Sequence, residues 1–140
     1  MHSKDEPVRE GAPSSAAMFG APPIEPVPPP DRFLDSDCEA GNTLQVGDTI
    51  SFLPIFTPGH CPGHVVFWDK AHGNAFVGDL IFQGSVGRTD LPLANPGHMR
   101  DSLRLMLDTL PDSCKMLPGH MGPTTMGQER TSNHFLAHLQ

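Results

Sequence analysis

Three apolar runs in this chain each end in glycine followed by a histidine or an aspartate, and that pattern restricts the fold more than any other feature. Phe52-Leu-Pro-Ile-Phe56 leads into Thr57-Pro-Gly-His60, Ala75-Phe-Val77 into Gly78-Asp79, and Met116-Leu117 into Pro118-Gly-His120. Short β-branched and aromatic runs bounded by Gly and Pro read as strands. Gly before each polar residue allows a sharp turn that aims the side chain away from its strand. A carboxylate inside the run around Asp79 is costly to bury unless it is paired or coordinates a metal. Imidazole and carboxylate donors from separate strand ends suit Zn²⁺, or iron and manganese in a related geometry. On residue types alone the alternative stays open that His60 and His120 are loop histidines and that Asp79 caps a helix.

The rest of the pattern supplies a framework for these turns. Thr43–Phe56 reads as a hairpin turning at Gly47-Asp48. Val65–Trp68 suits a strand covered on both faces. Gly84–Gly97 reads as a loop. From His98 to Leu110, Met99, Leu103, Met106 and Leu110 fall on one helical face, and Pro111 ends the helix. Cys114–Leu117 is a short strand and Thr124–Leu139 a second helix. Strands, loop, helix, strand, loop and helix predict a sheet packed by helices, an α+β arrangement.

Composition divides the chain. Half of the 16 prolines lie within residues 1–30. Residues 1–35 are therefore expected to form a Pro-rich, poorly ordered remnant segment, leaving residues 36–140 as the domain proper. Nine Lys+Arg against 16 Asp+Glu give a net charge of −7, with no basic run, which excludes a nucleic-acid phosphate backbone as partner. No run is long and apolar enough to span a membrane. Cys38, Cys61 and Cys114 are read as free thiols in a reducing compartment, so a cytoplasmic location is expected.

In order, Thr57-Pro-Gly-His-Cys-Pro-Gly-His-Val-Val-Phe67, Val77-Gly-Asp-Leu-Ile-Phe82, Gly84-Ser-Val-Gly-Arg-Thr-Asp-Leu-Pro92 and Leu117-Pro-Gly-His120 resemble the motifs of metallo-β-lactamase-fold hydrolases. The branch they look most like is the hydroxyacylglutathione hydrolase (glyoxalase II)-like proteins, whose carboxy-terminal pattern Pro123–Arg130 with Asn133–Leu136 also resembles. The resemblance implies a partial αββα sandwich lacking most of its first sheet. It implies His60, Asp79 and His120 as metal ligands, Asp79 bridging, with one or two Zn ions (or Fe or Mn) activating a water. The implied substrate is a small-molecule thioester such as a glutathione conjugate. Arg88 and Asp90 match the branch's active-site loop: Arg88 either holds a substrate carboxylate or pairs with Asp90. His64 matches a position beside the metal, and is either a solvated loop histidine or a substrate-side group. Cys61 is read as packing rather than as a nucleophile. Met121-Gly122 stands where the family more often has Gly-Pro, which predicts a differently shaped loop after His120.

The family's early His-x-His-x-Asp-His motif is absent as such. His2-Ser-Lys-Asp-Glu6 offers one His, with Lys4 and Glu6 at or near positions of family histidines. Asp5 is the carboxylate this segment offers for positioning the nucleophile, and the alternative for it and for His2 is a disordered terminus. The expected activity is thus metal-dependent thioester hydrolysis. The alternatives are a truncated or diverged non-catalytic half-domain and, ranked lower, an iron-dependent persulfide dioxygenase. Sheet edges left open by a missing half would favour a homodimer.

Overall fold

The computed structural model describes residues 1–139. Strands β1 (Leu44–Val46), β2 (Ile50–Phe56), β3 (Val65–Asp69), β4 (Asn74–Gly78), β7 (Lys115–Pro118) and β8 (Thr124–Thr125) form one sheet in the order β1-β2-β3-β4-β7-β8. All neighbours are antiparallel except β4 and β7, which run parallel because the helix α3 (Pro96–Thr109) lies in the crossover between them. Strands β5 (Ile81–Phe82) and β6 (Ser85–Val86) pair as a separate two-stranded ribbon.

The expected hairpin turns at Gly47 (φ 62°) and pairs Leu44 with Phe52. Its register decides which side chains are buried. Val66, Ala75, Val77 and Met116 point to one face, where Met99, Leu103, Met106, Leu107 and Leu110 of α3 cover them. Asn95 caps α3, its Oδ1 accepting from the His98 N–H at 3.0 Å, and Pro96 fits the first turn, where no N–H is needed. The helix therefore starts two residues earlier than its apolar spacing indicates. On the opposite face Phe52 meets Phe67 and Phe76 edge to face, at 6.2 and 5.6 Å between centroids.

One expectation about elements is corrected. The single helix expected over Thr124–Leu139 is α4 (Met126–Ser132) and α5 (His134–Ala137), broken at Asn133. Asn133 turns extended (φ −84°, ψ 108°) and its Oδ1 accepts from the Phe135 N–H, so a new helix starts there. The amino-terminal segment also carries regular structure. A 3-10 turn (Ser3–Asp5) leads into α1 (Glu6–Met18), with α2 (Asp35–Ala40) following the polyproline stretch. Pro7 occupies the first turn of α1, where proline costs no hydrogen bond. Arg9 ties this helix to the Pro-rich stretch, donating to Glu6 and to the Val27 carbonyl at 2.6 Å. Among the described residues no helix is long and apolar enough to cross a membrane.

Candidate metal centre

The three Gly-preceded turns converge at one end of the large sheet. His60 Nε2 lies 3.5 Å, and His120 Nε2 3.4 Å, from the same Asp79 oxygen, Oδ2. The Gly before each has a different physical task. Gly78 has φ 49°, and a Cβ there would stand 2.7 Å from His64 Nε2. The register between β4 and β7 also shifts between Phe76 and Gly78, so the strand is bent just before Asp79. Gly59 has φ 150° and packs directly on the backbone of Met99. Gly119 has no positive φ, but a Cβ there would run into Asp79 Oδ1. Gly59→Ala is expected to cost about 1–3 kcal/mol through overpacking against α3, read as a lower urea midpoint.

The His60 ring is fixed from behind. Its Nδ1 is 3.0 Å from the Arg88 carbonyl oxygen. A carbonyl only accepts, so Nδ1 carries a proton, and in the neutral form of the ring the lone pair lies at Nε2. That lone pair faces a carboxylate oxygen, an arrangement that is favourable only with a proton or a cation between them. Two donors at about 2.1 Å from one tetrahedral zinc stand roughly 3.4 Å apart, the spacing of both His–Asp79 pairs. The donor types and the spacing of each His–Asp79 pair are those of an imidazole and a carboxylate that share a cation. Among the described residues no group of three or more His, Cys, Asp or Glu side chains is placed so that it could hold a metal ion as it stands. The site is open, with the His120 side chain 72% exposed.

His64 is buried, which overturns its reading as a solvated loop residue. Its Nδ1 is 2.8 Å from Thr57 Oγ1, and burial, followed by the neighbouring His60, holds its pKa below the ordinary imidazole value. The ring is a wall beside Asp79 rather than a group offered to solvent. Burial and a hydrogen bond to Asp5 push the Cys61 thiol up to about 12, so it is a neutral donor and no nucleophile.

Asp5 sits against the loop that carries His60. Its Oδ1 accepts from the Gly63 N–H at 2.6 Å and its Oδ2 from Cys61 Sγ at 3.2 Å. The rest of the early segment is turned elsewhere. His2 is buried rather than disordered, stacked on Phe56 at 4.1 Å and accepting from the Lys4 N–H. The Lys4 ammonium lies over the Phe56 ring, and Glu6 pairs with Arg9. Arg88 and Asp90 form a two-pronged pair, both bonds 2.7 Å, at an exposed position. Each holds the other charged: hydrogen bonding raises the Arg88 pKa and lowers that of Asp90. Met121 takes φ 66°. The turn after His120 thus imposes on methionine a backbone that glycine adopts freely.

Sequence reasoning missed Glu129 and Asn133 as parts of the site's support. Glu129 is fully buried; its Oε2 accepts from the Gly84 N–H (2.8 Å) and Asn133 Nδ2 (3.0 Å), and its Oε1 from Thr124 Oγ1. Asn133 Nδ2 also donates to the Ser85 carbonyl at 2.9 Å. This network clamps the β5–β6 ribbon, two residues beyond which lies the Arg88 carbonyl that orients His60.

The same fold recurs in known proteins. The family model of the metallo-beta-lactamase superfamily matches residues 2–120. Hydroxyacylglutathione hydrolase GloC of Haemophilus influenzae is 38% identical over 135 residues, which cover 96% of this chain and 61% of that protein. The probable metallo-hydrolase YqgX of Bacillus subtilis is 36% identical over 108 residues, 77% of this chain and 49% of that one. Among solved structures, TTHA1623 in a di-iron-bound form superposes with a TM-score of 0.83 at 38% identity, covering 97% of this chain and 63% of that chain. BLEG-1 B3 metallo-beta-lactamase gives 0.84 at 32% identity with the same coverage. The chain spans about half to three-fifths of the length of these curated relatives. Because residues 2–120 carry the family match and the fold recurs in these solved relatives, the chain belongs to the metallo-beta-lactamase superfamily.

Proposed function

We propose that this chain forms the metal-binding part of a thioester hydrolase of the hydroxyacylglutathione type. The observation that carries the reading is the His60 ring, whose Nδ1 is committed to the Arg88 carbonyl while Nε2 faces the Asp79 carboxylate that His120 also faces. His60, Asp79 and His120 would hold the metal, which when bound supplies Lewis acidity and lowers the pKa of a bound water. Zinc suits two imidazoles and a carboxylate; iron is supported by the di-iron form of TTHA1623.

The chain's own residues do the rest. Asp79 places one negative charge between two imidazoles. The Arg88 carbonyl fixes the tautomer of His60, and Asp5 fixes the loop behind it. The Arg88 guanidinium, paired with the exposed Asp90, can exchange it for a substrate carboxylate, since exposed pairs contribute little. GloC is named for hydroxyacylglutathione hydrolysis, which supports a glutathione thioester as substrate.

The second reading, a non-catalytic half-domain, is favoured by the placement of Lys4 over Phe56 and of Glu6 on Arg9, away from the Asp79 cluster. One experiment separates the two. Purified chain is dialysed against zinc, ferrous or manganous ion, bound metal is counted, and glutathione release from S-lactoylglutathione is followed. Hydrolysis proportional to bound metal is expected. Stoichiometric metal without turnover selects the half-domain, and the absence of both overturns the metal centre itself.

A further inference from the structure

An apolar groove of about 230 Å³ runs between α1 and the Leu91–Leu93 segment and reaches His60. Val8, Met18 and Phe19 form one wall, Leu91 and Leu93 the other. Among the described residues no Lys, Arg, Asp or Glu lines it. Val8, Met18, Phe19 and Leu93 are all exposed large hydrophobics, gathered at this one place. Leu93 also adopts φ 68°, a conformation that a bulky side chain rarely takes. Strain of that kind persists only where the surroundings impose it, and it concentrates at ligand-contacting positions.

We propose that this groove binds the apolar acyl chain of a thioester whose carbonyl lies at the His60–Asp79 cluster. The inference rests on the hydrolase reading above and adds the substrate class to it. At roughly 30 Å³ per carbon-sized group, the volume of a water in the liquid, the groove takes about seven such groups. Its lining has no cation to hold a carboxylate, so the charged thiol portion of a glutathione thioester stays outside and the acyl arm enters. A short hydroxylated acyl group leaves the groove walls wet and gains little. Hydrolysis then breaks the C–S bond and forms a C–O bond from water, releasing an apolar carboxylate and a thiol.

The chain carrying ¹³C-methyl methionine is titrated with octanamide and, separately, acetamide, following the Met18 methyl signal. Saturable shifts with octanamide are expected, with affinity at least about tenfold above acetamide, since each buried methylene is worth about fourfold. Leu93→Asp and Val8→Asp, both at exposed positions, are expected to weaken octanamide about tenfold while leaving the circular dichroism spectrum unchanged. Equal response to the two amides, or variants that bind octanamide like the parent, overturns the groove. With zinc present, S-octanoylglutathione is expected to exceed S-lactoylglutathione about tenfold in kcat/KM, a preference lost in Leu93→Asp. Octanamide binding without hydrolysis of either thioester keeps the groove and overturns the hydrolase reading. Hydrolysis with no octanoyl preference and no Met18 shift overturns the groove alone.

Discussion

Asp79→Asn is expected to weaken zinc binding by at least about 100-fold and to take hydrolysis down with it. The estimate starts from groups that only orient a ligand, whose loss already costs about 10–100-fold. Asp79 does more, because its Oδ2 is the single atom that both His60 Nε2 and His120 Nε2 approach. The amide is nearly isosteric, so the shape around Gly119 and Gly78 is kept. The negative charge is not. A neutral oxygen between two imidazoles offers a dication far less Coulombic stabilisation in a partly dry site. The Asp79 side chain is 25% exposed, so the metal-free variant is expected to keep its stability to within about 1 kcal/mol. Equilibrium dialysis with zinc and a urea melt of the apo protein check the two halves separately. Parent-like affinity in the variant would remove Asp79 from the centre, and a collapsed melt would show a structural role instead.

What was legible in the sequence follows from the range of each interaction. The β1–β2 hairpin, the apolar face of α3 and the three Gly-preceded turns rest on neighbours a few residues apart, so their spacing announces them. The meeting of His60, Asp79 and His120 is not local. It became readable only through the ordered motifs, and the geometry then added that both rings face one carboxylate oxygen. Other features depend on partners far along the chain. His64 looks like a loop residue until Gly78 and Thr57 enclose it. α1 was hidden by its prolines, although Pro7 sits where a helix accepts one. Asn133 breaks the last helix because its side chain serves the β6 backbone and the following turn at once.

Glu129 is the extreme case, since an acidic residue on a short polar helix reads as a solvated surface group. Here it is fully buried and carries three donors from three segments. Glu129→Ala is expected to cost about 2–4 kcal/mol, a large part of the roughly 5–15 kcal/mol that holds a domain of this size. The reasoning weighs each donor. Asn133 keeps the Ser85 carbonyl as a partner, and the Thr124 hydroxyl can rotate, so neither is fully orphaned. The Gly84 N–H is orphaned, at about 1–3 kcal/mol, and the cavity left by the side chain adds to it. Glu129→Gln is expected to fall in the same range, because an amide cannot accept at both of its terminal atoms. A double-mutant cycle of Glu129→Ala with Thr124→Val is expected to show positive coupling of about 1 kcal/mol, since the second change removes a donor the first left behind. Urea denaturation measures all of these, and a loss under about 0.5 kcal/mol for Glu129→Ala would mean that the carboxylate is solvated. The consequence reaches the candidate metal centre without any contact. Loosening Gly84 and Ser85 frees the ribbon that leads to the Arg88 carbonyl, so His60 loses its fixed tautomer. Zinc affinity is then expected to fall about tenfold in Glu129→Ala under conditions where the variant remains folded.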